Sequence, residues 1–213
     1  MTDQISPSTL APSLGKIVRV SRLDRYIWEQ AAAKLGEWKK VGINMSISVN
    51  ISPKDFYYID IFNTFAGLVK KYDIEPSNLK IEITETTIMS DVPNLMGELE
   101  ELRKAGFTIE MDDFGSGYSS LNTLKDINVD VLKVDMGFIK ETKNVKKSRI
   151  ILASVIKMAK ELNLLIITEG VETEEQVDNL TKLGCDIFQG YYFSKAIDVN
   201  EFEKRYLYRK KAG

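Results

Sequence analysis

The segment Phe107–Leu121, FTIEMDDFGSGYSSL, runs an apolar stretch into two adjacent carboxylates, Asp112 and Asp113, and then into a glycine-rich turn. Like charges in contact repel, so water, a lysine or a bound cation must offset them. The residue types narrow the chemistry further. The chain has no histidine and a single cysteine, Cys185. That excludes Ser-His-Asp triads, histidine zinc sites, cysteine-cluster metal sites and an internal disulfide. Acid–base or metal chemistry must therefore use Asp, Glu, Asn, Gln and Lys. Oxygen-rich sets of this kind suit hard cations such as Mg, Mn or Ca. Cys185 precedes a short apolar run and reads as a small core residue.

Further polar residues stand at or near the ends of apolar, β-branched runs: Asn50, Glu82, Lys133, Glu169 and Gln189 join Asp112 in this pattern. The runs predict strands at Ser46–Ser52, Leu79–Thr84, Phe107–Asp112, Val131–Asp135, Leu164–Glu169 and Asp186–Gly190. Alternation puts Lys80, Glu82 and Thr84 on one face, opposite Leu79, Ile81 and Ile83. It likewise groups Val131, Lys133 and Asp135. Taken singly, each polar strand end has an ordinary reading: a solvated Asx turn, an edge lysine, or a glutamate at a helix start. Recurrence at six strand ends favours function.

Those strands need elements to carry them back. Amphipathic segments near Asp24–Val41, Asp55–Lys71, Val92–Ala105, Lys146–Leu162 and Glu174–Leu183 predict the helices. Gly106 and Gly184 stand where helix C-caps fall, and Pro53 and Pro93 stand near helix starts. Strands alternating with helices argue for a parallel α/β sheet with right-handed crossovers. In a parallel α/β barrel the strand C-termini converge on one mouth, where catalytic residues gather. No low-complexity stretch or internal linker is visible, so residues 1–213 read as one domain.

Bulk composition excludes other classes. Of 213 residues, 29 are basic and 31 acidic, for a net charge of −2 without long blocks of either sign. A basic footprint for polymeric nucleic acid is absent. No run approaches the ~18 apolar residues of a membrane span. The N-terminal MTDQISPSTLAPSLGK lacks a secretory pattern, so a cytoplasmic location is expected.

The same motifs, in order, resemble the EAL family of cyclic-di-GMP phosphodiesterases. They are SVNIS with Asn50, LKIEITET with Glu82 and Glu85, DDFGSGYSSL with Asp112 and Asp113, LKVD with Lys133 and Asp135, TEGVETEEQ with Glu169 and Glu172, and LGCDIFQGYYFSK with Gln189. The resemblance implies a TIM-like (β/α) barrel of the EAL type. It also implies two Mg or Mn ions: Asn50, Glu82 and Asp112 would hold one, and Asp112, Asp113 and Glu169 the other. Lys133 or Glu169 would activate the water that opens cyclic-di-GMP to linear pGpG. Gln189 and Asp135 would contact substrate, Glu85 and Glu172 would steady loops, and calcium would inhibit.

Two departures stand out. The Glu-Ala-Leu tripeptide that names the family, whose Glu is a metal ligand, is absent, as is the neighbouring arginine that contacts substrate phosphate. Residues 1–20 match poorly, and about six of eight family strands are present. An open barrel edge, with self-association through it as a homodimer, is therefore expected. Glu110 is the second departure, sharing a face with Asp112. It reads either as an ion-pair partner of Lys80 or Lys133, or as a substitute for the lost ligand. The alternative function is a catalytically deficient module that binds cyclic-di-GMP or a protein partner.

Overall fold

A computed structural model describes residues 7–90, 92–114, 124–125, 127–137, 145–185 and 187–208. Its described strands form one six-stranded sheet in the order β1-β2-β3-β4-β5-β6. These are β1 Ile47–Asn50, β2 Leu79–Thr84, β3 Ile109–Phe114, β4 Val131–Asp135, β5 Leu165–Glu169 and β6 Ile187–Phe188. Among the described residues the α-helices include α1 Pro7–Lys40, α2 Pro53–Tyr58, α3 Ile61–Tyr72, α4 Glu85–Ile88, α5 Leu95–Lys104, α6 Val145–Glu161, α7 Glu174–Leu183 and α8 Val199–Phe202. The chain divides into two compact units. One takes the described residues up to Met111 with those between 124 and 129, and the other takes Asp112–Phe114 and the chain from Asp130 onward.

In the first unit, β1 and β2 pair in parallel, with Val49 opposite Ile81 and Asn50 opposite Glu82. Both faces of β2 are covered, as a parallel strand requires: Leu79, Ile81 and Ile83 are fully buried, and Glu82 is only 9% exposed. Around the apolar face Trp28 of α1 meets Phe65 of α3 at 5.1 Å between ring centroids, and Phe65 meets Phe107 edge-on at 5.8 Å. The Trp28 indole N–H donates to the Asn50 carbonyl at 3.0 Å, fixing the end of β1.

Two helices differ from expectation. α1 begins at Pro7 where the pattern predicts Asp24, because Pro12 and Gly15 are costly inside a helix and mask its first half. The expected helix 55–71 is two helices. Ile59 is extended, and Asp60 caps α3 by accepting the Asn63 N–H at 3.0 Å. At the other end, Asp55 accepts both the Ser52 N–H at 2.9 Å and the Ser52 hydroxyl at 2.6 Å, which starts α2 at Pro53.

In the second unit, β4 and β5 pair in parallel with Lys133 opposite Ile167 and Asp135 opposite Glu169. β5 pairs β6 through Ile167–Ile187 and Thr168–Phe188. Cys185 is buried and accepts the Thr168 hydroxyl at 3.2 Å, so it is a core residue as expected. β6 is shorter than predicted, and Asp186 lies outside the described residues. α7 matches its predicted span, framed by a Thr173–Gln176 capping box and Gly184 in the left-handed conformation at φ +93°. No described helix is long and apolar enough to cross a membrane.

Candidate active site

β3 spans Ile109–Phe114, ending two residues beyond its predicted end, so Asp113 lies in the strand together with Asp112. The pair is held in an unusual way. Asp113 has φ +57°, a left-handed conformation that β-carbon sterics make uncommon outside glycine. Its N–H donates to Asp112 Oδ1 at 2.9 Å. A local bond of this kind helps Asp to occupy that region. Strain of this kind concentrates at functional sites.

Lys133 lies on β4, only 5% exposed. Its Nζ is 2.8 Å from Glu169 Oε1 and 3.3 Å from Asp112 Oδ1. Register explains the first contact. Lys133 faces Ile167, and Glu169 lies two residues further along β5 on the same face, within reach of the long lysine stem. Glu169 has its pKa raised, first by burial, with the Asp112 and Asp113 charges adding and Lys133 opposing. Asp113 is raised as well, by burial first and then by the charges of Asp112 and Asp135. The Lys133 ammonium thus acts on Asp112, Asp113 and Glu169. Acidic oxygens gathered in this way are the donors a divalent ion takes. Among the described residues, no three acidic, histidine or cysteine side chains stand close enough to hold one, and Asp112 and Glu169 turn to Lys133.

Asp135 is set differently. Its Oδ1 accepts the Gly137 N–H at 2.7 Å, and a β-carbon at Gly170, whose φ is +71°, would stand 3.3 Å from the same oxygen. Sequence reasoning did not find these two glycines; the signal available was a glycine just past each strand end. Gln189 is exposed beyond β6, its backbone bonded to Thr168 and Val171. The Glu172 N–H bonds Gln176 at 2.6 Å, at the start of α7.

In the first unit, Asn50 and Glu82 are register partners at the ends of β1 and β2. Glu85 is buried in the first turn of α4, where the helix dipole favours a carboxylate. The glycines of the 115–117 turn that Glu85 is expected to steady lie outside the described residues. Glu110 is 1% exposed; its Oε1 is 2.9 Å from Lys80 Nζ, and its Oε2 accepts the Ser48 hydroxyl at 2.9 Å. Both oxygens are engaged, which is the ion-pair reading.

The chain resembles known proteins over most of its length. The EAL domain family matches residues 2–196. The chain is an EAL domain. The Bacillus subtilis signaling protein YkoW is 33% identical over 92% of this chain and 24% of its own length. The Pseudomonas aeruginosa bifunctional diguanylate cyclase/cyclic di-GMP phosphodiesterase MucR is 32% identical over 92% of this chain and 29% of its own. This EAL domain therefore spans 24–29% of the length of those relatives. The structure of PaMucR phosphodiesterase in complex with c-di-GMP superposes with a TM-score of 0.81 at 32% identity, over 93% of this chain and 81% of that one. Klebsiella pneumoniae BlrP1, solved with manganese and cy-diGMP, gives 0.74 at 29% identity over 82% and 44%. The expected EAL-type α/β fold is the one found.

Proposed function

We propose that this EAL domain hydrolyses cyclic-di-GMP to linear pGpG in bacterial second-messenger signalling, in the cytoplasm, with Mg or Mn bound. The observation that carries the reading is Lys133 paired with Asp112 and Glu169 beside a strained Asp113. A divalent ion polarises the phosphodiester and lowers the pKa of bound water. Asp112, Asp113 and Glu169 are the residues we assign to one ion; Asn50, Glu82 and Asp112 are assigned to the other through the family motifs.

The reaction adds a water oxygen to phosphorus and breaks one P–O3′ bond, with a proton ending on the departing 3′ oxygen. Glu169 and Lys133 are the two candidate bases for the attacking water. Lys133, paired with two carboxylates, orients it and offsets charge. Gln189 and Asp135 are assigned to substrate, and Glu85 and Glu172 to loop support. Calcium, with its longer and looser coordination, binds but positions water poorly and inhibits. Relatives support this reading: MucR is named a cyclic di-GMP phosphodiesterase, and BlrP1 is solved with manganese or calcium beside cy-diGMP.

The test is incubation with cyclic-di-GMP and millimolar Mn or Mg, with products separated by chromatography. Conversion to pGpG that stops on chelation is expected. Saturable ligand binding without any pGpG would instead make this a receptor module.

A further inference from the structure

Away from the acidic strand ends, α1 and α3 of the first unit enclose a groove of about 630 Å³. That volume is in the range of small-ligand sites. Arg22 and Arg25 of α1 line it three residues apart, so their guanidinium groups share a face. Lys71 and Glu29 also line it, but they are committed to one another. Glu29 accepts a second bond from the Tyr72 hydroxyl at 3.0 Å, and the Arg25 charge acts on it as well. Its carboxylate is thus spent, leaving the lining with a surplus of positive charge. No carboxylate among the described residues pairs with Arg22.

Two further features shape the groove. Tyr26 also lines it and is 59% exposed, presenting a flat ring next to the two arginines. Gly67, inside α3, is the other. A β-carbon there would meet nothing within 4 Å, so no neighbour requires this glycine, although glycine costs about 1 kcal/mol inside a helix. It leaves the groove open over the buried Leu68.

We propose that this groove binds a small phosphate-bearing ligand with a planar ring, a nucleoside monophosphate being the simplest. Arg22 and Arg25 grip the phosphate as forked donors, and Tyr26 stacks on the ring. The site is separate from the acidic cluster and does not depend on its phosphodiesterase reading.

Calorimetric titration of the full chain in metal-free buffer, with GMP and with pyrophosphate, tests it. Both are expected to bind with Kd below about 1 mM. Arg22→Gln and Arg25→Gln should each weaken both probes about tenfold, the scale of one charged hydrogen bond. Tyr26→Ala should weaken GMP and leave pyrophosphate unchanged. Gly67→Leu, which fills the groove and removes no charge, should abolish GMP binding while the thermal midpoint is kept or raised. Asp112→Asn should bind GMP as the parent does. Unaltered binding in Gly67→Leu, loss in Asp112→Asn, or no saturable binding of either probe would each overturn the proposal. So would affinity for anionic vesicles without affinity for GMP.

Discussion

Lys133 stands 2.8 Å from Glu169 and 3.3 Å from Asp112, and its charge also acts on Asp113. Lys133→Met keeps the apolar stem and removes the ammonium. We expect the variant to fold, by circular dichroism, and to lose cyclic-di-GMP hydrolysis by about 100-fold or more, the usual scale of acid–base assistance. A fully active Lys133→Met would reduce the lysine to charge balance. The twin aspartates should separate in the same way. Asp112 contacts Lys133 and is assigned to both ions, whereas Asp113 is assigned to one. Calorimetric Mn titrations should therefore show the greater loss of affinity in Asp112→Asn. Equal affinity in the parent and Asp112→Asn would remove the two-ion assignment. Asp24 offers a residue-scale test of another sort. Burial, and then the charge of fully buried Asp55, raise its pKa. With both acids ionised Asp55 Oδ1 has no hydrogen-bond partner among the described residues, and a proton on Asp24 would supply one. A raised carboxyl contributes stability at acidic pH that is lost as pH climbs through its folded value. Asp24→Asn should therefore raise the urea midpoint at pH 7, with the advantage shrinking towards pH 4. An advantage that grows with acidity would show the opposite sign and reject the coupling.

At the scale of elements, legibility followed how locally each feature is determined. β2 and α7 could be bounded from sequence because strand alternation and a C-capping glycine act within a few residues. The start of α1 could not be read. Pro12 and Gly15 argue locally against a helix that the chain nevertheless forms. The break between α2 and α3 hung on one capping aspartate in an otherwise continuous amphipathic run. Lys133 and Glu169 were legible as polar strand ends, but their mutual contact depends on the β4–β5 register, which no single strand encodes. The Gly137 and Gly170 cradle around Asp135 was missed because it is a tertiary arrangement of two separate loops. Glu110 could be narrowed to two roles, and only its partners chose between them. It spans three strands, linking Ser48 of β1, Lys80 of β2 and its own β3. Removing one partner of a buried pair leaves the other uncompensated, at a cost of about 3 kcal/mol. Because Lys80 remains partly exposed, Glu110→Ala should lose somewhat less than that in urea denaturation. Its Mn affinity should equal the parent's. A fall in Mn affinity without loss of stability would return Glu110 to the metal site.

At the scale of the whole molecule, the sheet order leaves β1 and β6 as the terminal strands among those described. Each has a row of backbone groups on its outer edge with no strand beside it, the usual template for pairing with another chain. The two edges are not equally protected. On β6 the strand is only Ile187–Phe188, and Ile187 is an exposed aliphatic side chain. Tyr191, Tyr192 and Phe193 extend the exposed apolar surface just beyond it. Surface of that kind, continuous with an open edge, favours association. We therefore expect sedimentation velocity to show a concentration-dependent dimer. Ile187→Lys places a charge on the edge and leaves the buried core untouched, so it should raise the dimer dissociation constant about tenfold, a shift of 1.4 kcal/mol. A parent chain that stays monomeric at all concentrations would show that these edges do not self-pair. A dimer that Ile187→Lys leaves intact would move the interface away from β6.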